Sequence, residues 1–591
     1  LTHAELIVGH NSLRFDVPAI TKVFPGWQTT AIHRDTLVSA WMLWSDLEDK
    51  DEARVAKGEM PSRLRGRYSL EAFGYRLKLH KGDFKGPWDT WTKVMQDYCE
   101  QDIRVTLALV ARVAKQIPQT DWWNFGPLVL EHDVATIINR QTAYGFAFDK
   151  EAAVKLYGDL VQIRMDAETT IQKAFTPWFR KVEDKIQGAD VSRKRPDLGV
   201  TVTIPRVGKN GKPLKPYIGP LIEETYEEAG FSKIERVEFN CNSRHHIADR
   251  LIKVWGWKPK EFTNDGSPKI DDEILGRLPY PQAKLLAHYL MIQKRIGMLA
   301  EGKGAWLKAE KKGRIHGSVI SCGTPTARMT HSAPNIAQVP AGKSPYGMEC
   351  RSLFVAGRGK LLVGCDADAL ELRDLAGYMA QYDKGAYVLV ILEGNKALGT
   401  DMHSVNCRAL GFDPATHRDM AKTWFYAFIY GAGDVKLGLI LGAKGPKVAK
   451  AIGKKSRDDF LKNLPALGAI TKSVKEQALT GYITGLDGRR LKVRYEHAAL
   501  NTLLQAAGAI QMKRALVTLD VKLQALGLIP GRDYEFVANV HDEWQIEVSE
   551  EHVETVKREA EASIAAAGAY YNFGCPLKGN ADAGKNWAST H

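Results

Sequence analysis

Apolar positions in the first part of the chain come as short runs and helical stripes. Ile7 and Val8 lead into the polar segment from His10 to Asp16, and Val105, Leu109 and Val113 step by four, which predicts a helix beginning near Tyr98 with one buried face. The first 120 residues therefore read as a small α/β region. Residues 131–176 are long-helical in spacing, and the pattern resumes over residues 271–308, where Leu285, Tyr289, Ile292 and Ile296 share a face. Between them, residues 178–220 carry Pro, Gly and ten basic side chains against four acids, which reads as an irregular basic insertion.

The last 270 residues are patterned differently. Lys360-Leu-Leu-Val-Gly-Cys365 is an apolar strand that ends at Asp366, and Leu372, Leu375, Tyr378, Met379 and Tyr382 then take helical spacing. Tyr534 to Val540 and Trp544 to Val548 flank His541-Asp542-Glu543, a β-hairpin with two adjacent acids at its tight turn. Arg418, Lys422, Tyr426 and Tyr430 recur every fourth residue. On a helix they form one winding stripe about 18 Å long, while Trp424, Phe425, Phe428 and Ile429 supply its core face.

Length and charge narrow the class. At about 150 residues per domain, 591 residues predict roughly three to five domains. No run approaches the roughly 18 to 20 apolar residues that span a bilayer, so no membrane partner is expected. Lys and Arg number 82 against 69 acids, a formal charge of +13, which favours a polyanionic partner. Seven dispersed cysteines without a CxxC pair indicate a reducing compartment and neither a zinc site nor a disulfide framework.

The carboxylates carry the chemistry. Asp366 ends a strand and Asp542 sits in a turn between apolar strands. Taken alone, Asp366 reads first as a helix N-cap. Brought together, the two acids would hold two Mg²⁺ ions about 4 Å apart, one activating the attacking oxygen and the other steadying the leaving group. Oxygen donors suit Mg²⁺. The stripe on the intervening helix offers a guanidinium, an ammonium and two rings, an order that suits a nucleoside triphosphate.

These three segments resemble motifs A, B and C of family A DNA polymerases: DxxxxE with a following Leu-Arg, RxxxKxxx(Phe/Tyr)xxxYG, and a (Val/Ile)-His-Asp-Glu turn. The resemblance runs from about His10 to the C-terminus and is nearest to the replicative polymerases of short-tailed lytic phages that recruit host thioredoxin. Supporting stretches are Thr326-Ala-Arg328, Leu486-Asp-Gly-Arg-Arg490 and Asn501-Thr-Leu-Leu-Gln505. The resemblance implies a right-hand α/β multidomain fold and template-directed extension of a primer with deoxynucleoside triphosphates, in the cytoplasm of an infected bacterial host. The implied metal set is Asp366, Asp542 and the Ala367 carbonyl for two Mg²⁺, with Mn²⁺ as a substitute, and Glu543 stands beside it. Arg418, Lys422 and His403 would bind phosphate, and Lys422 would protonate departing pyrophosphate. Tyr426 and Tyr430 would meet the incoming nucleotide, and Glu371 would exclude a 2′-hydroxyl. Arg328, Asn501, Gln505 and His541 would touch primer-template DNA. Relatives commonly have Ser where this chain has Asp368, which is expected to point away from the metals because a third carboxylate there would add repulsion.

Upstream, His10-Asn-Ser-Leu-Arg-Phe15-Asp16 fits the NxxxFD motif of DnaQ-like, RNase H-fold 3′→5′ exonucleases. Tyr98-Cys-Glu-Gln-Asp102 fits YxxxD, with Asp102 as a metal ligand. The first motif, DxE, is absent from residues 1–15, so this domain is expected to be truncated and its proofreading activity absent. The implied organisation is exonuclease-like domain 1–125, thumb 126–315 with the basic insertion at about 178–238, palm 316–398, fingers 399–495 and palm again 496–591. By position, the insertion would take a thioredoxin-like processivity factor.

Overall fold

The structure is a computed structural model that describes residues 2–590 apart from 83, 187–200, 209, 221–229 and 264. It divides into two compact units, one of Leu1–Leu156 with Met298–His591 and the other of Tyr157–Gly297. No described helix is long and apolar enough to cross a membrane.

In the first unit, strand β1 (Leu6–Gly9) pairs in parallel with β2 (Ile32–Asp35). The polar segment after β1 turns over the end of β2 because Asp35 accepts the amides of Asn11, Leu13 and Leu37. Asp16 then opens α1 (Asp16–Val23). Helix α2 (Lys93–Ala114) is capped by Thr92 and buries Val105, Leu109 and Val113, the stripe read from the spacing. The long-helical stretch expected over 131–176 is instead two helices, α3 (Gly126–Tyr144) and α4 (Lys150–Ala174). Gly145 breaks them. It sits at φ +75°, and a Cβ there would stand 2.7 Å from the His316 ring, so the chain turns into a short strand.

In the second unit the basic insertion is not irregular as expected. Strand β3 (Trp178–Ile186) pairs antiparallel with β6 (Gly230–Val237), and β4 (Thr201–Val207) pairs with β5 (Pro213–Pro220) through a turn at Gly211, φ +72°. Residues 187–200, 209 and 221–229 of the insertion lie outside the described residues. Its Pro and Lys content masks a run such as Thr201-Val-Thr-Ile, whose β-branched residues favour a strand. The unit's core packs Ile247, Leu251 and Trp257 with Leu286 and Tyr289 of α5 (Pro281–Ile296), beside Phe175 stacked on Phe239 at 4.1 Å.

The remaining chain, in the first unit, builds a four-stranded antiparallel sheet. The central strand β7 (Lys360–Ala367) lies between β9 (Glu543–Ser549) and β10 (Gly579–Gly584), with β8 (Tyr534–Val540) outside β9. Both faces of the sheet are covered. Trp544, Ile546 and Val548 join the apolar core with Val363 and Cys365. Their alternating neighbours Glu543, Gln545 and Glu547 are buried as well, and each has partners. Trp587 Nε1 donates to Glu543 and Thr590 Oγ1 to Gln545, while Arg314, the Gly357 amide and the Tyr144 hydroxyl donate to Glu547.

A second set of buried charges joins distant segments. Glu131 of α3 accepts from Lys513 at 2.6 Å and from Arg489 at 2.5 Å, and Arg489 also meets Asp487 at 2.7 Å. All but Asp487 are among the buried charged residues. Burial opposes the Glu131 charge, yet Lys513 and Arg489 outweigh it and hold the carboxyl below its ordinary range. Replacing Glu131 by Gln would leave two buried cations sharing one acid. The expected cost is about 3–5 kcal/mol of stability, read as a lower midpoint in urea unfolding. A variant that unfolds with the parent would show that the cluster does not carry stability.

Candidate active site

The hairpin turn between β8 and β9 has only two residues, His541 and Asp542, and His541 takes the left-handed conformation at φ +60°. The Asp542 carbonyl accepts the Ala367 amide at 3.0 Å, which ties the turn to the end of β7. In the same ladder Asp366 stands opposite Glu543. Asp366 and Asp542 thus come from neighbouring strands at one end of the sheet. Asp542 is exposed, yet protein on its cleft side pushes the carboxyl above its ordinary value, and the charges of Glu543 and Glu371 add to this.

Helix α6 (Leu370–Asp383) follows β7 and carries Glu371. Glu371 accepts from Arg328 Nη2 at 3.0 Å and from the Tyr430 hydroxyl at 2.8 Å. Burial and that hydrogen bond push the Tyr430 phenol up to about 12. Helix α7 (Met402–Ala409) brings His403, and α8 (Pro414–Ile429) brings Arg418, Lys422 and Tyr426, with Tyr430 just past its end. Tyr426 lies 5.9 Å from the His403 ring and 6.5 Å from that of Tyr430. Burial, then the charges of Arg418 and Lys422, lowers the His403 pKa, so the imidazole favours its neutral form beside those two cations. The helix buries Ala421, Trp424, Phe425, Phe428 and Ile429, which turns the stripe outward.

A cavity of 420 Å³ opens beside Asp542, walled by α6, α8 and α9 (Ala499–Ala525). Its lining includes Arg328, Glu371, Tyr426, Tyr430, Gln505, His541 and Asp542. A sequence profile of DNA polymerase family A matches residues 214–589. The chain belongs to DNA polymerase family A. It is 34% identical to the DNA-directed DNA polymerases of Enterobacteria phage T3 and Escherichia phage T7, each alignment covering 99% of this chain and 92% of the relative. Its fold is that of the solved POL domain of Pol1 from M. smegmatis, determined in complex with DNA primer-template and dNTP. That likeness has a TM-score of 0.68 at 17% identity and covers 96% of this chain and 84% of the other.

The cavity gathers Arg328, Glu371, Tyr426, Tyr430, Gln505, His541 and Asp542 from among the residues singled out in the sequence. Asp366, Ala367 and Glu543 are not among the lining residues; Arg418 and Lys422 on α8 and His403 on α7 also lie outside the lining, and Asn501 lies one turn before Gln505 on α9. Glu543 turns into the protein, where Oε1 accepts from Trp587 at 2.5 Å and from Gln545 at 2.7 Å. Asp368 is held by Arg373 at 2.7 Å. Among the described residues no three acids, histidines or cysteines converge on one point. In the N-terminal region Tyr98 and Asp102 share α2 with a cation between them: Lys81 Nζ is 3.0 Å from Asp102 and 4.8 Å from the Tyr98 ring centroid. Asp16 lies near His33 and, among the described residues, makes no hydrogen bond or ion pair to Tyr98 or Asp102.

Sequence reasoning missed Lys513 on the cavity wall, since a lysine in a helix of this length reads as surface. It also missed Asp374, one turn after Glu371 and fully buried. A Cβ on Gly508 of the cavity wall would stand 3.1 Å from its Oδ2. Removal from water pushes the Asp374 carboxyl well above its ordinary 3.8. Above that pH the unfolded chain loses a proton that the folded protein keeps, so rising pH favours unfolding by about 1.4 kcal/mol per unit until the folded value is reached. Asp374→Asn should therefore melt higher than the parent at pH 8, with the gap closing toward pH 4. Parallel melting profiles of the two proteins would contradict an ionisable burden at this position.

Proposed function

We propose that this family A polymerase extends a primer 3′ end by two-metal-ion phosphoryl transfer, with Asp366 and Asp542 as the metal ligands. The observation that carries the reading is the tie between Ala367 and Asp542, which sets two carboxylates at one strand end beside the cavity. Their donor set is oxygen only, which suits Mg²⁺ or Mn²⁺, and with two acids available the Ala367 carbonyl, water and phosphate oxygens would complete the shells. Bound there, the ions would lower the pKa of the primer 3′-hydroxyl and neutralise charge on the leaving group. Arg418, Lys422 and His403 would grip the triphosphate, and Lys422 would give its proton to departing pyrophosphate. Tyr426 would stack on the nucleotide. Glu371, held between Arg328 and Tyr430, would exclude a 2′-hydroxyl. Arg328, Asn501, Gln505 and His541 would line the primer-template.

In this reading residues 316–398 and 496–591 form the palm, 399–495 the fingers and 126–315 the thumb. Residues 1–125 form an exonuclease-like domain around Asp16, Tyr98 and Asp102. The insertion at 178–238 would dock a thioredoxin-like processivity factor. Its strands expose Phe179, Leu214 and Ile218, apolar side chains of the kind a protein partner covers.

Primer extension with Mg²⁺ and the four deoxynucleoside triphosphates should fall by several orders of magnitude in Asp366→Ala and in Asp542→Ala. Primer-template affinity should survive, because phosphate contacts elsewhere supply it. Near-normal turnover in either variant would end the metal assignment. Glu371→Ala should raise ribonucleotide incorporation relative to deoxynucleotide by roughly ten- to a hundredfold. Unchanged discrimination, measured as the ratio of kcat/KM values, would remove the gate.

A further inference from the structure

Asp401 joins two helices of the nucleotide site, although no role falls to it in the scheme above. It precedes α7 as its N-cap: Oδ1 accepts the His403 amide at 3.1 Å and Oδ2 accepts the Ser404 hydroxyl at 2.5 Å. Both oxygens are thereby fixed to the first turn of α7. From α8, Arg418 sets Nη2 at 2.7 Å and Nε at 3.3 Å from the same Oδ1. The pair is largely shielded, with side-chain exposures of 21% for Arg418 and 14% for Asp401. Burial opposes the Asp401 charge, but Arg418 and Ser404 outweigh it and hold the carboxyl at about 2, so it stays ionised wherever the protein is folded and active.

The guanidinium geometry decides what this contact does. Arginine presents five N–H donors in a rigid fork. Asp401 occupies the Nε/Nη2 edge. The other nitrogen, Nη1, has Asp419 at 3.9 Å, and that carboxylate is 99% exposed and screened by water. An edge therefore stays open for a second anion, while the long side chain has already lost its rotamer freedom. The same carboxylate fixes the backbone that carries His403, so one acid sets the relative placement of a guanidinium and an imidazole from two helices.

We propose that Asp401 is a positioning residue for the incoming nucleotide: it holds Arg418 from behind, presents the Nη1 edge to the triphosphate and remains in place when the nucleotide enters. The proposal rests on α8 being the triphosphate-binding helix. A resident anion that had to be displaced would act in the opposite sense and weaken nucleotide binding, so the direction of the mutational effect is diagnostic. Pre-ordering one long side chain corresponds to a gain of about five- to tenfold in affinity.

The test is single-nucleotide insertion by the full chain with Mg²⁺ and a matched deoxynucleoside triphosphate. Four proteins are compared: the parent, Asp401→Asn, Arg418→Ala and the double variant. Asn caps a helix as well as Asp does, so α7 is retained, and Asp401→Ser provides a second cap-preserving variant. The expected result is a KM raised about five- to tenfold in Asp401→Asn and Asp401→Ser, with kcat changed less than about twofold. The double variant should be no worse than Arg418→Ala. An unchanged or lowered KM in both Asp401 variants, with Arg418→Ala still impaired, overturns the proposal and leaves the α8 reading standing. Multiplicative losses in the double variant also overturn it, because Asp401 would then act independently of Arg418. If Arg418→Ala itself keeps the parental KM, the α8 reading fails and the proposal falls with it.

Discussion

The site depends on the pairing of β7 with β9. In that ladder Asp366 faces Glu543, and the next amide, that of Ala367, reaches the Asp542 carbonyl. Side chains alternate faces along a strand, so a slip of one residue would move Asp366 to the other side of the sheet. The register is specified from both sides. Val363 and Cys365 must stay with Ile546 and Trp544 in the apolar core, and Glu543, Gln545 and Glu547 must stay with Trp587, Thr590 and Arg314. Any slip would bury carboxylates among apolar side chains and strand their donors. The acids at the strand end are thus held by a register that the whole sheet enforces.

Charge is managed by pairing throughout the same unit. Glu131, Asp487, Arg489 and Lys513 balance one another in the interior and join α3, the 486–490 turn and α9. At the surface of the site, Asp401 offsets part of the positive charge of Arg418, and Arg373 holds Asp368. Asp374, one turn along the helix that carries Glu371, differs from these: it is fully buried, and removal from water raises its carboxyl well above the ordinary value. A cationic face of this kind is poised for a polyanionic ligand, because Asp401 is tied to the first turn of α7 and Asp419 is screened by water.

Much of this was legible in the chain because the relevant signals are local. The Val105, Leu109, Val113 stripe is buried as its spacing implied, the hairpin turns at His541 and Asp542, and α8 buries the aromatic face opposite Arg418 and Lys422. Where composition competed with periodicity, composition misled. The Pro- and Lys-rich segment at 178–220 forms antiparallel ladders, since hydrogen bonding to a partner strand can satisfy a backbone that looks irregular in isolation. The helix expected across 131–176 is cut at Gly145, where the approach of His316 from 171 residues away leaves no room for a side chain.

By itself the sequence determined the elements, the family and the kinds of side chain available for chemistry, because those follow from spacing and residue type over a few turns. The partner of each side chain was decided by tertiary structure alone. Glu543, adjacent to Asp542, turns to Trp587 rather than to the cleft; Lys513 lines a cavity and neutralises Glu131; Asp401 takes one edge of Arg418 and leaves another. Each outcome depends on segments tens to hundreds of residues apart meeting at hydrogen-bond distance, and no local pattern encodes which distant donor will be there.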